Sequence, residues 1–199
     1  MNAQLIEQQV GAAKARPRSR RVYSARPSTQ VVYRPATPGE APAIHALIAE
    51  HLEEGRLLPR ETGELAIHAH RFVVAVRRGR LVGCAELAPL SGRVAEIRSL
   101  VVDRQARSLG IGQRLIEELQ RRARLDGFDQ LCAFAHDAAY FVRKGFSIVP
   151  HTWVPEKIAR DCTSCVQFRR CGQHAVVLPL AGGPRPRADT FVPLSALRG

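Results

Sequence analysis

A strand-like run passes directly into a helical pattern across VDRQARSLGIGQRLIEEL, at positions 102–119, and no other stretch restricts the fold as much. Ile111, Leu115, Ile116, Leu119 and Ala123 recur at the spacing of one helix face. Glu117 with Arg121 and Glu118 with Arg122 form i,i+4 pairs on the exposed face, before Gly127 stops the pattern. A strand that feeds a helix marks an α/β architecture. The junction holds Arg107-x-x-Gly110-x-Gly112. Two residues without side chains at a helix start let backbone N–H groups and the positive helix end approach a diphosphate closely. The alternative is that these glycines serve a tight turn and nothing else.

Two nucleotide motifs are excluded. No Gly is followed five residues later by Gly-Lys-Ser/Thr, so there is no Walker loop. A dinucleotide fingerprint would need Gly or Ala at position 115, which is Leu115.

The rest of the chain alternates in kind. VVYRPA reads as a strand. TPGEAPAIHALIAEHL reads as a helix with Thr37, Pro38 and Glu40 as N-cap, N1 and N3 of a capping box. LPRETGELAIHAH is a short helix, RFVVAVRRGRLVGCAEL a hairpin turning at residues 77–80, GRVAEIRSLVVD a long strand and DQLCAF a further one. The predicted order is β, α, α, β, β, β, α, β, α, β, a sheet with helices on both faces.

Of 199 residues, 45% are hydrophobic and 24% charged, which suits one globular unit with a single sizeable core. The net charge of +12 sits mainly at the ends: residues 1–34 hold seven Lys or Arg against one acid, residues 181–199 three against one, and +4 remains for the middle. Residues 1–30 are expected to be a disordered basic tail, 31–180 the folded domain and 181–199 a loose C-terminal tail. The basic tail reads as a solvated segment, with nucleic-acid binding or an organelle presequence as its lesser uses. No apolar run reaches the 18 to 20 residues of a membrane span, and no basic stretch precedes an apolar core at the start. A soluble, cytoplasmic protein is expected.

Taken together, EIRSLVVDRQARSLGIGQRLIEEL and AAYFVRKGF resemble the GNAT acetyltransferase superfamily over about residues 31–180. The resemblance implies a mixed, mostly antiparallel central sheet flanked by helices, with acetyl-CoA as co-substrate. It implies that Leu100, Val101 and Val102 hold the pantetheine arm. The diphosphate would then rest on Arg107, Ser108, Leu109, Gly110, Ile111, Gly112 and Gln113. GRLLPRETGEL, AEIRSLVV, YFVRKGF and PEKIARDC further resemble the acetyltransferase domain of N-acetylglutamate synthases, which acetylate L-glutamate at the head of arginine synthesis. By that likeness Arg60 would clasp a substrate carboxylate, helped by the backbone near Leu58 and by Arg170 or Gln173. A dicarboxylate needs cationic anchors, and arginine offers two parallel donors to each carboxylate. The expected partner is therefore a small amino acid, with no membrane; a homodimer is left open. Two other readings stay in view: a GNAT enzyme with another amine acceptor, or a non-catalytic module binding zinc and nucleic acid.

Glu96 and Arg98 share one face of a regular strand, and two charges within VAEIRSLVV are costly unless they are used. Glu96 is the candidate general base that takes a proton from an ammonium nucleophile, or else a carboxylate paired with Arg98. Tyr140 is the candidate acid toward the departing thiolate, or else a core residue. It lies one place before the position, here Phe141, where many members carry a tyrosine. Cys162, Cys165, Cys171 and His174, spaced C-x2-C-x5-C-x2-H, form a candidate structural zinc site; otherwise they are reduced cysteines in a loop.

Overall fold

Short runs rich in apolar residues, buried on both faces in the central strands, assemble into one sheet. In the computed structural model, which describes residues 30–54, 57–166 and 168–180, these are β1 (Val31–Pro35), β2 (Phe72–Arg77), β3 (Arg80–Pro89), β4 (Val94–Val102), β5 (Gln130–Ala135), β6 (Ser147–Val149) and β7 (His174–Pro179). Their order is β1-β2-β3-β4-β5-β7-β6. Only β4 and β5 run parallel. The mixed, mostly antiparallel sheet expected from the sequence is present. β6 is the strand that sequence reading missed, because three residues are too few for a two-residue period to register. The tail assignments for residues 1–29 and 181–199 lie outside the described residues.

The helices α1 (Ala41–Ala49), α2 (Thr62–Ile67), α3 (Ile111–Leu125), α4 (Ala138–Val142) and α5 (Pro155–Lys157) cover both faces. On one face α3 buries Ile111, Leu115, Ile116, Leu119 and Ala123, the predicted stripe, against Ala85, Leu87, Ala95 and Ile97 of the sheet. Truncating one of these large side chains to alanine costs about 2–5 kcal/mol. On the other face α1 buries Ile44 and Ile48 against Phe72, Val74 and Cys84. Gly83 in β3 lets α3 approach closely, since a Cβ there would meet Ile111 Cγ2 at 3.0 Å. The entry to α1 is tied to β1: Glu40 accepts from the Thr37 backbone N–H at 2.9 Å and from the Arg34 guanidinium at 2.6 and 2.9 Å. These donors, Arg34 first, hold the Glu40 carboxyl down at about 2.

Two irregularities open the sheet. β4 and β5 pair only from Val94 with Gln130 to Ile97 with Ala133. Beyond that, β4 continues along β3 while β5 continues along β7, so the parallel strands part. At the point of parting Ser99 has φ +47°, and the β3–β4 register slips by one residue between Glu86–Arg98 and Cys84–Val101. This is a bulge in β4. It reverses the alternation: Ala95 and Ile97 face α3 before it, Leu100 and Val102 after it, while Val101 turns to the α1 face.

Candidate active site

A cavity of about 960 Å³ fills the wedge between the parting strands. Its lining includes Leu100, Val101 and Val102 from β4, Ala133, Phe134 and Ala135 from β5, and the turn that enters α3. The turn leaves its amides without partners. Ser108 and Gly110 adopt φ +68° and +74°, and Asp103 stabilises the approach by accepting from the Gln105 N–H at 2.8 Å. The first closed helical bond runs from Arg114 N–H to the Gly110 carbonyl at 3.0 Å. Among the described residues, the amides of Ser108, Leu109, Gly110, Ile111, Gly112 and Gln113 therefore donate to no protein acceptor. Six unpaired donors at the positive end of a fifteen-residue helix meet the physical requirement for binding a diphosphate. Arg107 lines the same space, with its Nη2 donating to Glu54 at 2.7 Å; that bond holds the Glu54 carboxyl below its usual range. Leu109 is exposed and stands outside the cavity lining.

Tyr140 reaches this turn from α4. Its hydroxyl lies 2.6 Å from where a Cβ on Gly112 would stand, so the glycine is needed for that ring as much as for a ligand. Burial raises the Tyr140 pKa and keeps the hydroxyl protonated. Lys144, one turn later, donates to the Gln113 side chain at 2.7 Å and places a cation beside the amides.

Farther along β4, on the face away from α3, lies a ring of four charges. Glu96, 3% exposed, accepts from Arg98 Nε at 2.6 Å and from Lys157 at 2.9 and 3.0 Å. Asp161 accepts from Lys157 at 2.9 Å and from Arg98. Burial opposes the charge on Asp161, but Lys157 and Arg98 outweigh it and lower its pKa. The pairing of Glu96 with Arg98 was legible from two-residue alternation. Lys157 and Asp161, which sit on α5 and the π-helical turn that follows it (Ile158–Cys162), were missed, although their own i,i+4 spacing was a signal.

Arg60 closes the far side. Its Nη1 donates to Glu86 at 2.8 Å and to Ser99 Oγ at 3.0 Å, while Nε and Nη2 grip both oxygens of Glu64 at 3.1 and 2.8 Å. Burial works against its charge, yet Glu64 and Glu86 raise its pKa and keep it cationic. Glu86, 1% exposed, is a further carboxylate that sequence reading missed; the signal was the same as for Glu96, an acid inside an apolar strand.

The remaining expectations divide. Leu58 and Gln173 line the cavity, the latter held by His151 Nε2, which donates to its carbonyl at 2.9 Å. Arg170 is exposed on a short turn, Phe168–Arg170, and is absent from the lining. The zinc expectation is corrected: among the described residues no group of three or more His, Cys, Asp or Glu side chains could hold a metal. His174 opens β7 in register with Ala135, so the ladder fixes its place, and Cys171 is exposed with its Sγ turned to Gln173 Oε1 at 4.0 Å.

Residues 41–146 match the acetyltransferase (GNAT) family. The chain belongs to that family. An uncharacterized N-acetyltransferase of Chlorobaculum tepidum is 30% identical over 154 residues, covering 77% of this GNAT chain and 99% of that protein. An amino-acid acetyltransferase of Neisseria meningitidis serogroup B is 33% identical over 150 residues, 74% of this chain and 33% of that one. Among solved structures, the N-acetylglutamate synthase from Neisseria gonorrhoeae, complexed with coenzyme A and N-acetyl-glutamate, superposes with a TM-score of 0.69. The identity is 31% over 77% of this chain and 36% of the synthase. The GNAT chain thus spans about a third of the length of these two amino-acid acetyltransferases. No helix among its described residues is long and apolar enough to cross a membrane.

Proposed function

We propose that this GNAT enzyme transfers the acetyl group of acetyl-CoA to the α-amine of an amino acid, L-glutamate above others, and so opens arginine synthesis. The observation that carries the acceptor is Arg60: a guanidinium 12% exposed, aimed by Glu86 and Ser99, in the same cavity as Glu96 and the amide-lined turn. The same reading is supported by the amino-acid acetyltransferase and the N-acetylglutamate synthase that the chain resembles at 33% and 31% identity. Acetyl-CoA supplies the activated acetyl thioester.

The chain's own residues supply binding and proton removal. The amides of Ser108, Leu109, Gly110, Ile111, Gly112 and Gln113 take the diphosphate, with Arg107 and Lys144 beside them. Leu100, Val101 and Val102, whose pairing with β5 is lost, offer backbone groups to the pantetheine arm. Arg60 and the backbone at Leu58 hold one end of the acceptor; Gln173 and the wall carrying Arg98 face the other. Arg170, exposed and outside the cavity, is dropped from this set. Glu96 takes a proton from the acceptor's ammonium, directly or through one water, and the freed amine attacks the thioester carbon. A C–N bond forms, the C–S bond breaks, the thiolate leaves, and the second proton of the attacking nitrogen passes to the thiolate or to water. With a pKa near that of a cysteine, about 8.5, the thiolate needs no obligatory acid. The Tyr140 hydroxyl, seated over Gly112 at the phosphate turn, suits a contact to the cofactor better than proton donation to sulfur.

Thiol release from acetyl-CoA across a panel of amino acids and amines tests this. Turnover is expected to be fastest with L-glutamate and to require a carboxylate on the acceptor. Equal turnover with polyamines or lysine side chains points instead to a GNAT enzyme for another amine.

A further inference from the structure

The guanidinium of Arg60 presents five N–H donors in a rigid fork. Four are engaged, and the two carboxylates that engage them differ in kind. Glu86 lies mid-strand in β3 opposite Arg98, its side chain 2% exposed, and its departure would strand a buried charge. Glu64 lies on α2, 46% exposed, and lines the same cavity. It can turn into water at little cost, as exposed ion pairs do. The edge it holds, Nε and Nη2, is the edge by which arginine grips a carboxylate with two parallel bonds.

Given the amino-acid acceptor reading above, we propose that Glu64 is an internal competitor for the acceptor's carboxylate. In the free protein it occupies the two-bonded edge of Arg60, and the acceptor enters by displacing it. Glu86 and Ser99 remain in place and keep the guanidinium aimed. The exchange swaps one carboxylate for another on Arg60, so the guanidinium stays paired. An amine without a carboxylate offers Arg60 nothing in return for Glu64 and is rejected. Glu64 thus sets both the affinity for the acceptor and the preference for acceptors that carry an acid group.

Steady-state thiol release by the full chain and its Glu64→Gln and Glu64→Ala variants, with L-glutamate varied at saturating acetyl-CoA, tests the exchange. The KM for glutamate should fall about fivefold in Glu64→Ala and less in Glu64→Gln, which can still accept one bond, because an ion pair of this class is lost as a competitor. The kcat, the KM for acetyl-CoA and the melting temperature should not move. A glutamate KM that is unchanged or higher in both variants, with melting temperature intact, overturns the exchange and leaves Glu64 as a residue that orients Arg60. A wild-type chain that ignores glutamate, or accepts amines lacking a carboxylate equally well, overturns the acceptor reading itself and the exchange with it.

Discussion

Glu96, proposed above as the general base, would have to be structural and reactive at once. Both of its oxygens already carry cationic donors, from Arg98 and Lys157, so its burial is compensated and its position in β4 is fixed. Glu96 also lines the cavity in which the acceptor is proposed to bind. Glu96→Gln keeps the shape and removes the base; kcat for glutamate acetylation should fall on the order of a hundredfold at pH 7, measured by thiol release. Near-normal turnover would leave Glu96 as the salt-bridged residue of the alternative reading. Gly112 makes a second residue-scale test. A Cβ there would stand 2.6 Å from the Tyr140 hydroxyl but 3.7 Å from its Cζ, so only the oxygen clashes. Gly112→Ala should raise the KM for acetyl-CoA by displacing the ring, and Tyr140→Phe in the same chain should restore most of the loss. Sequence reading assigned that glycine to the ligand or to a tight turn, because nothing in the spacing of residues 112 and 140 reveals that they touch.

At the scale of elements, the bulge at Ser99 decides which side of β4 meets the cavity. Two-residue alternation placed Glu96 and Arg98 on one face correctly, yet it fails one residue later, where φ turns positive and Leu100 takes the face that Ser99 would have held. A register slip leaves no mark in composition, so this step was not legible. Ser99→Val puts a β-branched side chain at φ +47° and should cost about 1–3 kcal/mol in a urea melt. The capping box of Thr37, Pro38 and Glu40, by contrast, was read directly, although it closes a 3-10 turn, Pro38–Glu40, that runs into α1. What spacing did not show is that Arg34 of β1 joins them and that the Glu40 carboxyl is held at about 2. A depressed carboxyl stabilises the fold above its unfolded value, near 4.5, and that stability is lost as pH falls toward 2. The melting temperature of the wild type should therefore drop over this window, and Glu40→Gln, already destabilised at neutral pH, should drop less.

For the molecule as a whole, the helical stripe and the strand-to-turn junction followed from sequence pattern, since each is local, while the mixed sheet followed only from the resemblance to the GNAT superfamily. The strand order was not legible: β7 inserts between β5 and β6 although it comes last, and that insertion carries Gln173 to the cavity wall. The four-residue Cys/His spacing matched a metal site, but β7 takes up His174, and among the described residues no group of three such side chains could hold an ion. Long-range placement thus decides which local motif is used. The central claim is that amides left unpaired at the mouth of α3 hold the diphosphate of acetyl-CoA, with its thioester directed along β4 toward Glu96. A crystal structure of the chain with coenzyme A tests it most directly. The account predicts diphosphate oxygens within hydrogen-bond distance of the amides of residues 108–113 and the thiol in the gap between β4 and β5. Coenzyme A bound elsewhere, or a turn left empty at saturating coenzyme A, would contradict it.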